Sequence, residues 1–401
     1  MFKPADAVEA AGVVAWAVAE GEPLDIVAGG SKRALGRPVQ AAHTLDVSLL
    51  AGVVDYEPSE LVLTARPGTP MAEVEALLAG ERQMLAFEPP DWHGLLGCEG
   101  EPTLGGVLAC NIAGPRRVRA GAARDHFLGF AAVNGRGEAW KAGGRVVKNV
   151  TGYDMCKLQA GAYGTLSVLT EVSVRVLPRP ETACTLLLSG LYDDAAVALM
   201  AQALNTPHEV SGVAHLPDAV AARSGVARGH GHVTALRLEG PAPSVRYRAD
   251  ALEALLGAAI RIEGAESARL WREIGAVRPL LAAGAALVWR VCPTPSAAPA
   301  VLRAVQARFA SAEAFYDWGG GLMWLCLDAA EAGADAGAAV VRAAVRVTGG
   351  HATLVVAPDP VRAAVAVFEP EAGPLAALSR RVKDSFDPRG ILNPGRMREG
   401  Q

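Results

Sequence analysis

A short apolar run, Leu24 to Ala28, empties directly into two consecutive glycines and a basic turn, VAGGSKRALG (27–36), and a second paired-glycine segment follows at PTLGGVLACNIAGPRR (102–117). Glycine pairs behind a strand leave successive backbone N–H groups bare. With no Cβ to block approach, those groups converge on one anion. The first segment is neither a GxxxxGK[ST] phosphate loop nor a GxGxxG dinucleotide turn, because Gly29, Gly30 and Gly36 have the wrong spacing for both. A plain turn with a solvated basic residue accounts for the first segment equally well. Close helix–sheet packing accounts equally well for the second, in which Ala109 and Asn111 continue a short helix that begins after Thr103.

Two further constellations lie close by. Arg116, Arg117, Arg119 and Arg124 crowd beside Asp125, a pattern suited to an anionic ligand or to a solvated charged loop. KNVTGYDMCK (148–157) then leads into GAYGTLSV (161–168), a glycine-rich entry to an apolar strand. Its bland reading is a buried hydrogen bond between Tyr153 and Asp154 that fixes the turn. One large dinucleotide laid across a single domain explains all four.

Glycine supplies 44 of the 401 residues, against roughly 7% in average proteins. Much of the excess falls at 29–36, 94–121 and 161–164. The net charge of −4 argues against a nucleic-acid binder, which needs a basic excess. No run of about 18 uncharged apolar residues is present, so no membrane span is expected. Asp6 and Glu9 interrupt the N-terminus where a secretion signal is apolar, and a cytoplasmic location follows. The cysteines at 98, 110, 156, 184, 292 and 326 form no CxxC pair and no Cys/His cluster. Redox chemistry in this chain therefore requires an organic cofactor.

The pattern of elements predicts an α+β protein. A helix spans 5–20 and stops at Gly21; a second spans 71–83, with Thr69 as N-cap and Pro70 at N1. Asn134-Gly135 and Gly137 mark a hairpin. PRPE (178–181) reads as a linker between a first domain, 1–180, and a cap, 181–375. Four strand–helix–strand rounds in the cap predict one antiparallel sheet with helices on one face. The segment 376–401 is expected to return to the first domain.

On AGGSKRALG, PTLGGVLACNIAGPRR and KNVTGYD…GTLSVLTEV, the chain resembles the FAD-binding domain of the vanillyl-alcohol oxidase/p-cresol methylhydroxylase (PCMH) superfamily. EPSELVLTARPGTP, GPRRVRAGAARD, YDWGGGLMWL and FDPRGILNPGRM extend a likeness to the FAD-binding E-type subunits of bacterial glycolate oxidases (glycolate dehydrogenases) over nearly the whole chain. The resemblance implies a two-subdomain PCMH-type domain that holds extended FAD beneath the cap. Gly29, Gly30, Ser31 and Lys32 would hold the pyrophosphate, with Gly68 and Thr69 nearby. Thr103, Gly105, Gly106, Ala109 and Asn111 would pass along pyrophosphate and isoalloxazine, flanked by Gly121 and Asp125. Gly164 and Val168 would meet the adenine end.

Relatives that attach flavin covalently carry a His in the first loop. Here that place is Ser31-Lys32-Arg33 and the nearest histidine is His43, so FAD is expected to be non-covalent. Gly229-His-Gly-His232 has no acidic cluster beside it, and no metal is expected. Oxidation of a small 2-hydroxy acid needs a cation on the carboxylate and a base on the hydroxyl. The cap offers Arg290 for the first and His351 for the second, with Tyr316 and Trp318 nearby in its sequence, and the arginine loop offers Arg116 and Arg117; Trp318 and Trp324 are expected to be cap core. The implied partners are a second FAD-binding subunit and an iron–sulfur subunit, with membrane contact at most peripheral, on the inner face of the cell membrane. A stand-alone FAD oxidase of another hydroxy acid or alcohol, an electron-relay or structural flavin subunit, and a flavin-free scaffold stay open as alternatives.

Overall fold

In the computed structural model, residues 1–145, 152–281 and 286–400 are described; Lys148–Thr151 of the polar turn lie outside the described residues. Helix α1 (Ala7–Glu20) begins at Asp6, whose carboxylate accepts from the amides of Val8 and Glu9, and ends on Gly21 at φ 72°. Its buried stripe is Ala10, Val14 and Ala17. Strand β1 (Leu24–Val27) pairs in parallel with β2 (His43–Asp46) and runs straight into the first glycine loop. Next come β3 (Val53–Glu57), β4 (Val62–Ala65) and helix α2 (Met71–Gly80). Pro70, not Thr69, occupies the N-cap of α2. The Thr69 hydroxyl instead donates to the Arg66 carbonyl at 2.7 Å and accepts from the Gly52 amide.

Helix α3 (Leu104–Ala109) is the second glycine segment, N-capped by the Thr103 hydroxyl. Strands β5 (Phe127–Asn134) and β6 (Ala139–Gly143) form the expected hairpin, turning at Gly137 with φ 79°. Strand β7 (Ser167–Arg175) completes an antiparallel sheet in the order β3-β4-β7-β5-β6.

The cap is an eight-stranded antiparallel sheet with an internal repeat. Strand β8 (Thr182–Ser189), helix α4 (Asp193–Leu204), β9 (Gly212–Leu216), β10 (Val233–Gly240), helix α5 (Ala242–Leu256) and β11 (Ile260–Glu263) form one β-α-β-β-α-β unit. Helix α6 (Gly264–Gly275) follows it. Strand β12 (Ala286–Pro293), helix α7 (Ala298–Gln306), β13 (Glu313–Asp317), β14 (Leu322–Asp328), helix α8 (Ala338–Thr348) and β15 (Gly350–Val356) form the second unit. The strand order, β11-β8-β10-β9-β13-β14-β12-β15, is two split βαβ units joined edge to edge at Ala214↔Asp317 and His215↔Tyr316. The four rounds read from the sequence are thus two copies of one motif. Helices α4, α5, α7 and α8 cover one face through a core that includes Met200, Leu252, Val301 and Val341. The other face packs against the first domain in a continuous core that runs from Leu63 and Phe87 to Phe315 and Trp324.

Four charges knit the two layers. Arg116 lies 2.9 Å from Glu88 and 2.7 Å from Glu239, and Arg237 of β10 lies 2.9 Å from Glu88 and 3.6 Å from Glu239. Trp92 meets Trp324 edge-on at 5.7 Å. Helix α9 (Gly373–Phe386) brings the chain back to the first domain. There the buried Lys383 ammonium donates to Asp387, to the Thr165 carbonyl and to the Leu392 carbonyl. Leu392 and Ile391 then enter a third core with Val14, Leu24 and Leu45, where truncating one leucine to alanine costs roughly 2–5 kcal/mol.

Candidate FAD cleft and the cap face above it

The loop after β1, the start of α3, the entry to β7 and residues from 393 onward surround an open cleft. Gly29, Gly30, Ser31, Lys32, Thr103, Gly105, Gly106, Ala109, Gly164 and Val168 all line it. Cys110, Tyr163, Asn393 and Arg396 line it as well. Residue type alone does not mark those four as cleft residues, although Asn393 and Arg396 belong to the motif ILNPGRM.

Among the described residues, the amides of Gly29, Gly30, Ser31 and Lys32 have no acceptor within the protein. Four consecutive free N–H groups form a nest for an anion. The cations beside it are also free. Arg33 is paired with Asp25, but among the described residues neither Lys32 nor Arg396 has a carboxylate at salt-bridge distance. The Lys32 ammonium reaches only the Ser31 hydroxyl, at 3.0 Å, and burial holds its pKa below the ordinary lysine value. Arg396 is buried, and its Nε has no partner. Burying two cations without counter-charge is costly unless an anion completes the set.

The glycines divide into two kinds. A Cβ on Gly29 would stand 1.9 Å from the Glu101 carbonyl oxygen, and one on Gly105 would stand 2.5 Å from the Pro67 side chain. These two are bare so that protein can pack against protein. Gly30, at φ 80°, and Gly106 have no such neighbour; a Cβ on Gly106 would meet only the Thr103 hydroxyl at 3.3 Å and the Lys32 side chain at 3.7 Å. Those two are bare toward the cleft. Tyr163 and Asn393 hold left-handed backbone, at φ 53° and 44°. That costs roughly 1–3 kcal/mol each and gathers at functional sites. Asn393 fixes both walls, accepting from the Ile26 amide at 2.7 Å and donating to the Tyr163 carbonyl at 2.8 Å.

Five sequence-expected residues stand outside the cleft lining. Gly68 is enclosed by the carbonyls of Val47 and Leu50, and Thr69 is fully buried behind it. Together they seat α3, since the Thr69 carbonyl accepts from the Leu104 amide. Asn111 lies beyond the helix at φ 49°, and its side chain accepts from the Arg124 amide. Gly121 abuts Asp125, whose carboxylate accepts from the Ala122 amide and caps the turn Ala123–His126. Tyr153 is exposed, and Asp154 caps the helix Met155–Gln159, so no buried Tyr–Asp bond forms.

Above the cleft, the cap sheet turns one face toward the first domain. Arg290 and Cys292 alternate onto it from β12, and His351 of β15 stands directly across from Cys292. His351 is exposed at the sheet edge. Trp318 is not cap core: it is half-buried, and its indole donates to the Gly114 carbonyl of the arginine loop at 3.1 Å. The guanidiniums of Arg117 and Arg290 both lie over its ring, at 4.6 Å and 5.2 Å. The arginine loop thus splits by role. Arg116 and Arg119 are spent on Glu239 and Glu209, and Arg117 points to the cap face. Asp317, buried next to Trp318, is pushed up to about 7 by burial. His232 accepts from the Asp218 amide and stacks near Tyr192 and His215. Among the described residues no helix is long and apolar enough to cross a membrane.

Comparison with known proteins agrees with this geometry. Residues 1–143 match the FAD binding domain family, and residues 364–397 match the C-terminal domain of FAD linked oxidases. The solved structures of a 4-ethylphenol oxidase from Gulosibacter chungangensis and of p-cresol methylhydroxylase share the fold. Their TM-scores are 0.72 and 0.69 at 14% and 13% identity, and each match covers 98% of this chain and 88% of the other. FAD fits the cleft, with an unpaired amide nest and two uncompensated cations for its pyrophosphate and bare backbone at Gly30 and Gly106. Glycolate oxidase subunit GlcE of Escherichia coli (strain K12) is 36% identical over 382 residues, 95% of this chain and 94% of that one. The chain belongs to the glycolate oxidase subunit GlcE family, an FAD-binding family built on the p-cresol methylhydroxylase fold.

Proposed function

We propose that this chain is the FAD-binding subunit of a glycolate oxidase (glycolate dehydrogenase) complex, acting on the CH–OH group of glycolate or a similar small 2-hydroxy acid to give the 2-oxo acid. The observation that carries this reading is the meeting of two surfaces. An anion nest with two uncompensated cations lies below, and Arg290 and His351 stand on the cap face above. Tyr163, in the cleft wall, has the Arg290 charge as a neighbour.

When bound, FAD supplies the acceptor for the hydride that leaves the hydroxyl-bearing carbon. The chain's own residues do the rest. The nest at Gly29–Lys32, with Arg396 behind it, holds the pyrophosphate, and Gly106 leaves room for the ring system. Arg290 binds the substrate carboxylate, which fixes the direction of the Cα–H bond. His351 accepts the hydroxyl proton. FAD is held without a covalent bond through histidine, since the first loop carries none and His43 packs instead among Phe2 and Trp16.

Electrons leave for other subunits. The six cysteines are unpaired and scattered, with no cluster-binding spacing. That supports an iron–sulfur partner beside a second FAD-binding subunit; the complex is proposed to be cytoplasmic, with at most peripheral membrane contact. The test is anaerobic flavin bleaching by glycolate, first with this subunit alone and then with its partners. Bleaching of the isolated subunit excludes a relay-only flavin. A protein that bleaches in neither state refutes substrate turnover here.

A further inference from the structure

The cap face holds a group of side chains whose combined chemistry exceeds the two roles assigned above. Arg117 comes from the first domain and Arg290 from β12, and both guanidiniums sit over the Trp318 ring. Among the described residues neither has a carboxylate at salt-bridge distance, whereas Arg116 and Arg119 do. Arg117 is held below its ordinary value by burial and then by the Arg290 charge. The two like charges repel each other, and an anion within reach of both relieves that repulsion. Trp318 itself holds φ 53°, a conformation that a bulky side chain rarely adopts, so the ring that gathers the two arginines is fixed at a cost.

Cys292 completes the group. It is on the same strand face as Arg290, two residues and roughly 7 Å along β12. His351, its cross-strand partner, has its Cβ about 5 Å away. Cys292 is partly exposed. Burial pushes its thiol up, but Arg290, His351 and Arg117 together bring it below the ordinary cysteine value. The other five cysteines are pushed up by burial. One thiol of six is thus set apart by its neighbours.

We propose that Arg117, Arg290 and Cys292 form a binding subsite for a small carboxylate, in which the two guanidiniums take the anion and the Cys292 thiol stands at its edge. The subsite rests on the oxidase reading only for the identity of its natural ligand, the carboxylate of the 2-hydroxy acid. It adds a residue of the first domain to the substrate site, so the site is complete only when the cap is seated. It also makes Cys292 the point at which a carboxylate-bearing electrophile enters. The thiolate sulfur displaces the leaving group from carbon, forms a thioether and releases halide.

The probe is iodoacetate, which carries the charge and carbon skeleton of glycolate with the larger iodine in place of the hydroxyl; iodoacetamide is its neutral control. Ordinary thiols react faster with the neutral reagent. The 401-residue chain, purified with its flavin, is treated at neutral pH with each reagent, and each cysteine peptide is followed by mass spectrometry. Cys292 is expected to be the first cysteine modified, to prefer iodoacetate, and to be protected by glycolate. Arg117→Gln and Arg290→Gln each lower that preference by about tenfold, the effect of one contact charge. The preference in the unmodified chain requires no variant to fold. If Cys292 in the native protein prefers iodoacetate no more than it does in the urea-unfolded chain, or is not labelled, the subsite does not exist. The two readings separate cleanly. Glycolate that protects Cys292 while the flavin stays unbleached both in the isolated chain and in the assembled complex upholds the subsite and refutes turnover, and bleaching without any iodoacetate preference does the reverse.

Discussion

Arg396 donates to the carbonyl of Lys32 at 2.7 Å, so two cations from distant parts of the sequence share one wall of the cleft. The bond holds the anion loop in shape while the rest of the guanidinium stays uncompensated. Arg396→Met keeps much of the stem volume and removes the charge. Hydrogen bonds to charged groups are worth about 1.5–3 kcal/mol, so flavin affinity should fall between about tenfold and a hundredfold. Titration of the flavin-free protein, followed by flavin fluorescence, reads the change. An unaltered Kd would remove Arg396 from the cofactor site.

The two kinds of glycine give opposite expectations. Gly29→Ala places a Cβ against the Glu101 carbonyl, so it should lower the melting temperature of the flavin-free and flavin-loaded protein alike. Gly106→Trp fills only the cleft, so it should spare the melting temperature of the flavin-free protein and abolish most flavin occupancy. Gly30→Asp, which adds a negative charge at the nest, should also lose flavin. Full yellow colour in Gly106→Trp would show that the cofactor does not pass that helix.

That distinction marks where sequence reading stops. The strand emptying into Gly29-Gly30, the hairpin at Asn134–Gly137 and the stop at Gly21 are written locally, because turn geometry and strand alternation involve neighbours in the chain. What lies opposite Gly29 is a matter of tertiary packing, and nothing in VAGGSKR points to Glu101. Asn111, Gly121 and Asp125 carry the residue types of a binding loop, yet they brace the loop itself, Asn111 through the Arg124 amide and Asp125 through the Ala122 amide. Arg117 is chemically identical to Arg116 in the sequence, and only the position of Glu88 and Glu239 decides which is free. The cap repeat shows itself as strand–helix–strand rounds, but the edge-to-edge pairing at His215 and Tyr316 depends on contacts far apart in the chain.

The ion network between the layers has a pH signature. Glu239 is buried, but its bonds to Arg116 and Arg237 outweigh the desolvation and hold it at about 2, below its ordinary 4.5. A carboxylate depressed in the folded state adds stability above the unfolded pKa and loses it as pH falls through the folded one. Stability should therefore decline between about pH 4.5 and pH 2, and Glu239→Gln should flatten that part of the curve. At neutral pH the same change strands two guanidiniums, and breaking a buried pair costs roughly 3–5 kcal/mol. Chemical denaturation across pH measures both effects. A variant with the same acid profile as the parent would show that Glu239 titrates alike in the folded and unfolded chain.

His351→Gln and Arg290→Met should separate base from clamp. Loss of a general base lowers turnover by about 10²–10⁴. His351→Gln should therefore slow glycolate bleaching by that order without weakening flavin binding. Arg290→Met should raise the glycolate concentration needed for half-maximal bleaching more than it lowers the limiting rate. Stopped-flow bleaching of the assembled complex distinguishes them. A His351→Gln protein that bleaches at the parental rate would assign the proton to another group.

Asn393 ties the strand at Ile26 to the turn at Tyr163, and Arg396 closes over Lys32. Of all the residues around the cleft, these two leave the ribosome last. A nascent chain carries a folded first glycine loop and sheet well before it has a complete wall for them, so flavin capture must wait until Asn393 and Arg396 have been made. Any truncated product that lacks those few residues should accumulate colourless, whatever the state of its cores.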